Sequence, residues 1–210
     1  MKFLRIMTPL ALSAVCSVAY GQANFSSISA FYSMTPASGT INWIVNTNSP
    51  AYTIDFTQNA PPFKIGDTTG FSTGSSTISF NVTAPTLAIK AVDLVLQGDV
   101  EAFGRIQFSE SVSDGSGSLG TITGSILGAS WGGNGVNGAF TKVYHLDFSR
   151  SVNSFTVNKS FFMDINEQQL PSSSIALVSI VEQNFTPVPE PASIACLAAG
   201  AIALIRRRKK

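Results

Sequence analysis

From residue 24 to residue 185 the apolar side chains tend to recur at every second position, and no window holds an apolar period of 3.6 residues. A two-residue period puts alternate side chains on opposite faces of a strand, so it argues for half-buried β-structure and against amphipathic helices. Ile78, Phe80 and Val82 share one face of Thr77–Val82. Val100, Ala102, Ile106 and Phe108 share another, opposite Asp99, Glu101, Arg105, Gln107 and Ser109. Tyr144, Leu146 and Phe148 alternate with Val143, His145 and Asp147. Ile41–Val45, Ala51–Phe56 and Ile175–Phe185 read as further strands, and the nearly unbroken apolar run Leu87–Leu96 as a strand buried on both faces. Turn residues punctuate these runs at Ser38-Gly39, Asn48-Ser49-Pro50, Ala60-Pro61-Pro62, Gln97-Gly98-Asp99 and Asp114-Gly115-Ser116-Gly117. Short strands at near-regular spacing predict an all-β fold, an antiparallel β-sandwich or jelly roll.

The middle of the chain must hold itself together without disulfides. Both cysteines, Cys16 and Cys196, lie in apolar segments near the two ends. The formal charge of +1 for the whole chain is also misleading. Between Asn24 and Pro187 there are 6 basic and 11 acidic residues, so this part is acidic. An acidic surface disfavours nucleic acid and anionic lipid as partners. Ser, Thr and Asn are abundant there and charge is sparse, which suits a hydroxyl- and amide-rich sheet surface.

The two ends read as targeting segments. Lys2 and Arg5 precede an apolar stretch, Ile6–Val18, and small residues then offer cleavage after Gly21 or Ala23. This is the layout of a secretory signal peptide, here residues 1–23, with a helical apolar core. Val15 stands where a lipoprotein signal needs a small residue before Cys16. At the other end, Pro189-Glu190-Pro191 is followed by apolar Ala192–Ile205 and then Arg206-Arg207-Arg208-Lys209-Lys210. The prolines fix φ and bias their neighbours to extended backbone. As a helix the apolar stretch would span about 21 Å, short of the roughly 30 Å hydrocarbon core. The basic cluster favours a cytoplasmic end and stops transfer.

This tripartite tail, residues 186–210, resembles the PEP-CTERM sorting signal of bacterial surface proteins. The resemblance implies recognition by an exosortase, an integral-membrane protease, acting at Pro189-Glu190-Pro191. It implies export through signal peptidase and the Sec machinery, a transient inner-membrane precursor with a short C-terminal transmembrane helix, and a final place at the cell surface or in the extracellular matrix. The exported domain is expected over residues 24–185.

Candidate chemistry inside that domain is sparse. Asp99 and Glu101, two apart on a strand, would lie about 6.6 Å apart on one face, a separation at which paired carboxylates hydrolyse glycosides. They fall on the polar side of an alternation and are expected to be solvated. His145 is the only histidine, with Asp147 and Ser149 at alternate positions. Side chains along one strand point the same way and do not converge as a nucleophilic triad requires. One histidine without cysteines does not make a zinc site either. Asp114-Gly115-Ser116-Gly117 and Asp164-Ile165-Asn166-Glu167 offer oxygens to a structural calcium ion, although neither has the EF-hand pattern. No other cofactor is expected. Trp43 sits among Ile41, Ile44 and Val45 as a core residue. Trp131 sits in the glycine-rich run 128–138 and is the candidate ligand contact, either stacking on a sugar ring or folding back over the core. The reading is a non-enzymatic surface or matrix protein of structural or adhesive type, in contact with extracellular polysaccharide. A carbohydrate-binding module and a polysaccharide hydrolase are the alternatives.

Overall fold

The computed structural model describes residues 22–36, 39–47, 52–67, 69–132, 135–165 and 174–188. Residues 1–21 of the signal segment, the Asn48-Ser49-Pro50 turn, Asn166, Glu167 and everything from Pro189 onward lie outside the described residues. The expected signal helix and transmembrane helix therefore fall outside them too. Among the described residues no helix is long and apolar enough to cross a membrane.

The described chain is almost entirely antiparallel sheet. The strands are β1 (Asn24–Thr35), β2 (Ile41–Asn42), β3 (Ile44–Asn46), β4 (Thr53–Thr57), β5 (Lys64–Gly66) and β6 (Thr73–Thr83). They continue with β7 (Ile89–Glu101), β8 (Gly104–Asp114), β9 (Gly117–Leu127), β10 (Gly138–Val152), β11 (Ser154–Ile165) and β12 (Ile175–Pro187). One sheet runs β2-β1-β6-β11-β8-β9 and the other β10-β7-β12-β4-β3, with β5 beside β4 on β12. The sheets face each other over one apolar core, as the alternation predicts. Ile78, Phe80 and Val82 of β6 are fully buried, as are Leu94 and Leu96 of β7. An aromatic cluster closes one region of the core. Tyr32 lies 5.1 Å from Trp43 and 4.9 Å from Phe63 between ring centroids. Trp43 Nε1 donates to Ser76 Oγ at 2.9 Å, so the buried indole leaves no unpaired donor.

Several local expectations are corrected. Asp99–Ser109 is not one strand. β7 ends at Glu101 and β8 starts at Gly104, with Ala102 at the turn in the left-handed region at φ 47°. Gln97-Gly98-Asp99 is not a break but strand interior. A Cβ on Gly98 would stand 1.9 Å from the Leu177 carbonyl oxygen, so the glycine serves close backbone approach rather than a turn. β7 is not buried on both faces throughout: Ala91 and Val92 are both buried, but Lys90 is exposed and Asp93 and Val95 are half-buried. Ile41–Val45 divides at Trp43, with β2 in one sheet and β3 in the other. β12 runs past the expected end at Phe185, through Thr186 and Pro187, which oppose Ala91 and Ile89 of β7.

Candidate functional site

Two surfaces and one set of individual side chains bear on function. The first surface is where the sandwich meets the sorting tail. β12 is an interior strand of the second sheet, between β7 and β4. After Pro187 the Val188 N–H donates to the Ala88 carbonyl at 2.8 Å. The residues just before Pro189 are therefore fixed to the sheet in extended form, the backbone geometry that the prolines favour.

The second surface is the outer face of the first sheet. Period-two alternation turns Ser, Thr and Asn of five adjacent strands outward, and the register aligns them in rows across β1, β6, β11 and β8. Neighbouring side chains bond along these rows. Ser33 and Ser75 hydroxyls meet at 3.2 Å, and those of Ser109 and Ser160 at 3.0 Å. Ser79 donates to Asn158 Oδ1 at 2.7 Å and Thr156 to Asn81 Oδ1 at 2.8 Å. Two phenyl rings interrupt this polar field, Phe31 on β1 and Phe162 on β11, 38% and 42% exposed. At one end of the face a shallow groove of about 460 Å³ is lined by Ser26, Asn81, Ser113, Asp114 and Thr156.

The individually predicted residues are placed as follows. Trp131 ends a 3₁₀ turn, Ala129–Trp131, and folds back on the sheet edge. Its Nε1 donates to the Phe103 carbonyl at 2.9 Å, its ring meets Phe103 edge-on, and the Arg105 guanidinium lies 5.0 Å over its centroid. Asp99 and Glu101 are half-buried rather than solvated, and Asp99 Oδ1 is buried without a hydrogen-bond partner among the described residues. Asp99 is flanked by Ala139 of β10 and Leu177 of β12, and Glu101 pairs with Ile175 of β12. His145 Nδ1 meets Asp93 Oδ1 at 2.6 Å across the β7–β10 ladder, and its Nε2 lies 3.4 Å from Asp147 Oδ1. The hydrogen bond to Asp93, with a smaller contribution from Asp147, raises the His145 pKa above its ordinary value. Among the described residues Ser149 makes no hydrogen bond to this pair.

The two calcium candidates are engaged by arginine instead. Asp114 accepts from the Ser116 N–H at 2.7 Å and from Arg150 at 2.5 Å, and these hold its carboxyl below the usual range. Asp164 accepts two hydrogen bonds from the Arg105 guanidinium, one of them at 2.7 Å from Nε. Among the described residues no cluster of three or more metal-binding side chains occurs.

The polar residues that sequence reasoning missed are inside. Glu110 on β8, Lys159 on β11 and Gln183 on β12 are buried in the core between the sheets. Each stands in the phase of apolar neighbours: Phe108 and Val112, Val157 and Phe161, Val181 and Phe185. A charge or amide in an apolar phase was the signal available.

Comparison with known proteins places the tail first. The PEP-CTERM protein-sorting motif matches at residues 187–209. No curated protein matches the chain. Among solved structures, the chain is similar to TmCBM61 in complex with β-1,4-galactotriose, at 12% identity and a TM-score of 0.33, over 81% of this chain and 90% of that one. It is similar to the CBM36-1 domain of a multidomain xylanase from the hindgut metagenome of Trinervitermes trinervoides, at 14% identity and a TM-score of 0.26, over 77% and 99%. It is also similar to the enzymatically active domain of tailspike protein 4 of bacteriophage CBA120, at 9% identity and a TM-score of 0.30, over 80% and 19%.

Proposed function

We propose that this chain, an exported exosortase substrate by its PEP-CTERM motif, is a structural or adhesive component of the cell surface or extracellular matrix. The hydroxyl and amide rows on the outer face of the first sheet carry this reading. They form a flat surface of aligned donors and acceptors, suited to an extended polysaccharide chain. Such a surface binds by many weak hydrogen bonds rather than by a deep pocket. Phe31 and Phe162 add apolar faces on which pyranose rings can stack, and the polar groove at Asn81 and Thr156 lies farther along the same strands.

Export and sorting follow one route. The signal segment directs translocation, and Ala192–Ile205 and the basic cluster Arg206–Lys210 hold the precursor in the inner membrane. Pro189-Glu190-Pro191 is then cut at the outer membrane-water boundary. Deleting residues 192–210 should release the protein from the inner membrane unprocessed. Replacing Pro189 and Pro191 by Ala should leave an inner-membrane precursor, because the helix can then extend outward through the cleavage region. Mass spectrometry of the mature protein in the native host decides: a C-terminus intact through Lys210 reduces the tail to an ordinary anchor.

Contact with polysaccharide is tested by sedimentation with the host's own extracellular polysaccharide. Phe31→Ala combined with Phe162→Ala should weaken co-sedimentation, whereas Trp131→Ala should leave it nearly unchanged. The carbohydrate-binding alternative centred on Trp131 predicts the reverse order.

A further inference from the structure

We propose that the core holds a self-processing cross-link site, in which Lys159 Nζ attacks the side-chain amide carbon of Gln183 under the control of Glu110 and joins β11 to β12 by an isopeptide bond. The three residues come from three strands and from both sheets. A single carboxylate gathers the other two groups. Glu110 Oε2 accepts from Lys159 Nζ at 2.5 Å, and Glu110 Oε1 accepts from Gln183 Nε2 at 3.0 Å. The Lys159 and Glu110 side chains are both 0% exposed, and Gln183 is fully buried as well.

The site has the properties this chemistry needs. An amine nucleophile must be neutral, and burial drives the Lys159 pKa down against the opposing pull of Glu110. The surroundings are apolar, with the Phe80 ring 6.0 Å from Nζ and Val112, Val157 and Val181 fully buried nearby in sequence on the same three strands. Gln183 Oε1 is buried with no hydrogen-bond partner among the described residues. An unpaired buried carbonyl is costly in a finished core, but it is the oxygen that gathers charge when its carbon is attacked. A carboxylate touching both nitrogens can move protons between them. A buried ion pair by itself adds little stability over an apolar replacement, so the pair's presence asks for a use.

The step balances without an oxidant or a co-reactant. Glu110 takes a proton from the Lys159 ammonium. The freed amine forms the new Nζ–Cδ bond, and the Gln183 carbonyl becomes a tetrahedral centre. Glu110 hands this first proton to the departing nitrogen and then carries a second one to it from Nζ, the Cδ–Nε2 bond breaks, and the nitrogen leaves as ammonium. Glu110 ends as it began. The product is an amide between residues 159 and 183, with one molecule of ammonia lost. In a segment without cysteine it supplies the covalent brace that disulfides give other exported domains, constraining the unfolded chain.

Trypsin reads the bond directly. No Lys or Arg lies between Lys159 and Arg206, and Arg150 precedes Ser151. The full chain is purified, denatured, digested and analysed by mass spectrometry. The expected result is a single peptide, Ser151–Arg206, uncut after Lys159 and lighter by one ammonia, with fragment ions placing the link at Gln183. In Glu110→Gln the digest should instead contain residues 151–159 and 160–206 at their full masses. The wild-type digest decides even if that variant does not fold. Cutting after Lys159 in the wild type, with both peptides at full mass, overturns the proposal. A linked peptide persisting in Glu110→Gln overturns the role given to Glu110.

Discussion

Two oppositely charged pairs face each other across the same β8–β11 ladder. Glu110 opposes Lys159, and five residues away Arg105 opposes Asp164. An odd separation along a strand reverses the face, so the first pair points into the core and the second points out. The side chains of the first pair are 0% exposed, whereas those of the second are 29% and 19% exposed. Identical register and similar chemistry therefore meet opposite dielectric surroundings. Water helps to solvate the outer pair, and each partner there could survive alone. In the core, either charge without its partner is stranded.

The largest expected effect comes from stranding one. Glu110→Ala should lower unfolding stability by at least about 3–5 kcal/mol, since it leaves Lys159 without its partner and also removes the cross-link, measured from the denaturant midpoint of the purified protein. A loss below about 1 kcal/mol would erase the difference between the two faces. The double variant Glu110→Leu with Lys159→Met should be more stable than either single variant, since no lone charge remains. On the outer face, Arg105→Ala should cost only about 1 kcal/mol, including its place over the Trp131 ring, and added salt should shrink the difference.

A smaller effect tests a more exposed cluster. The His145 pKa, followed by NMR titration, should lie above its ordinary value and fall in Asp93→Asn. Because the folded-state value is raised, this contact stabilises the protein fully below the unfolded-state pKa near 6.5. Its contribution is lost as pH rises through the folded-state value. The smallest expected effect is none: reductant should leave the denaturant midpoint unchanged, as the exported segment contains no cysteine.

The sheet architecture was legible wherever one face is dry. β6 alternates cleanly, and its inward residues Ile78, Phe80 and Val82 are the ones the pattern marks. Legibility failed where backbone contacts replaced side-chain signals. The β7–β8 turn uses Ala102 at positive φ, so the alternation seemed to run straight through it. Gly98 looks like a turn residue but is required by the Leu177 carbonyl pressed against it. The buried polar cluster was hidden for another reason. Glu110, Lys159 and Gln183 lie far apart in sequence, and only the apposition of β8, β11 and β12 brings them together. The hydroxyl surface was visible as composition, while its ordering into rows depended on register.

The place of β12 has a mechanical consequence. Any load delivered through residues beyond Val188 enters along the axis of this strand. β12 is bonded to β7 over nearly its whole length and to β4 and β5 on its other side. Ladder hydrogen bonds stand perpendicular to the strands, so a pull along β12 strains many of them together in shear. A handle on an edge strand pulled sideways would break them one at a time. The sandwich is therefore held at its tail end by an interior strand rather than by an edge that could be peeled away.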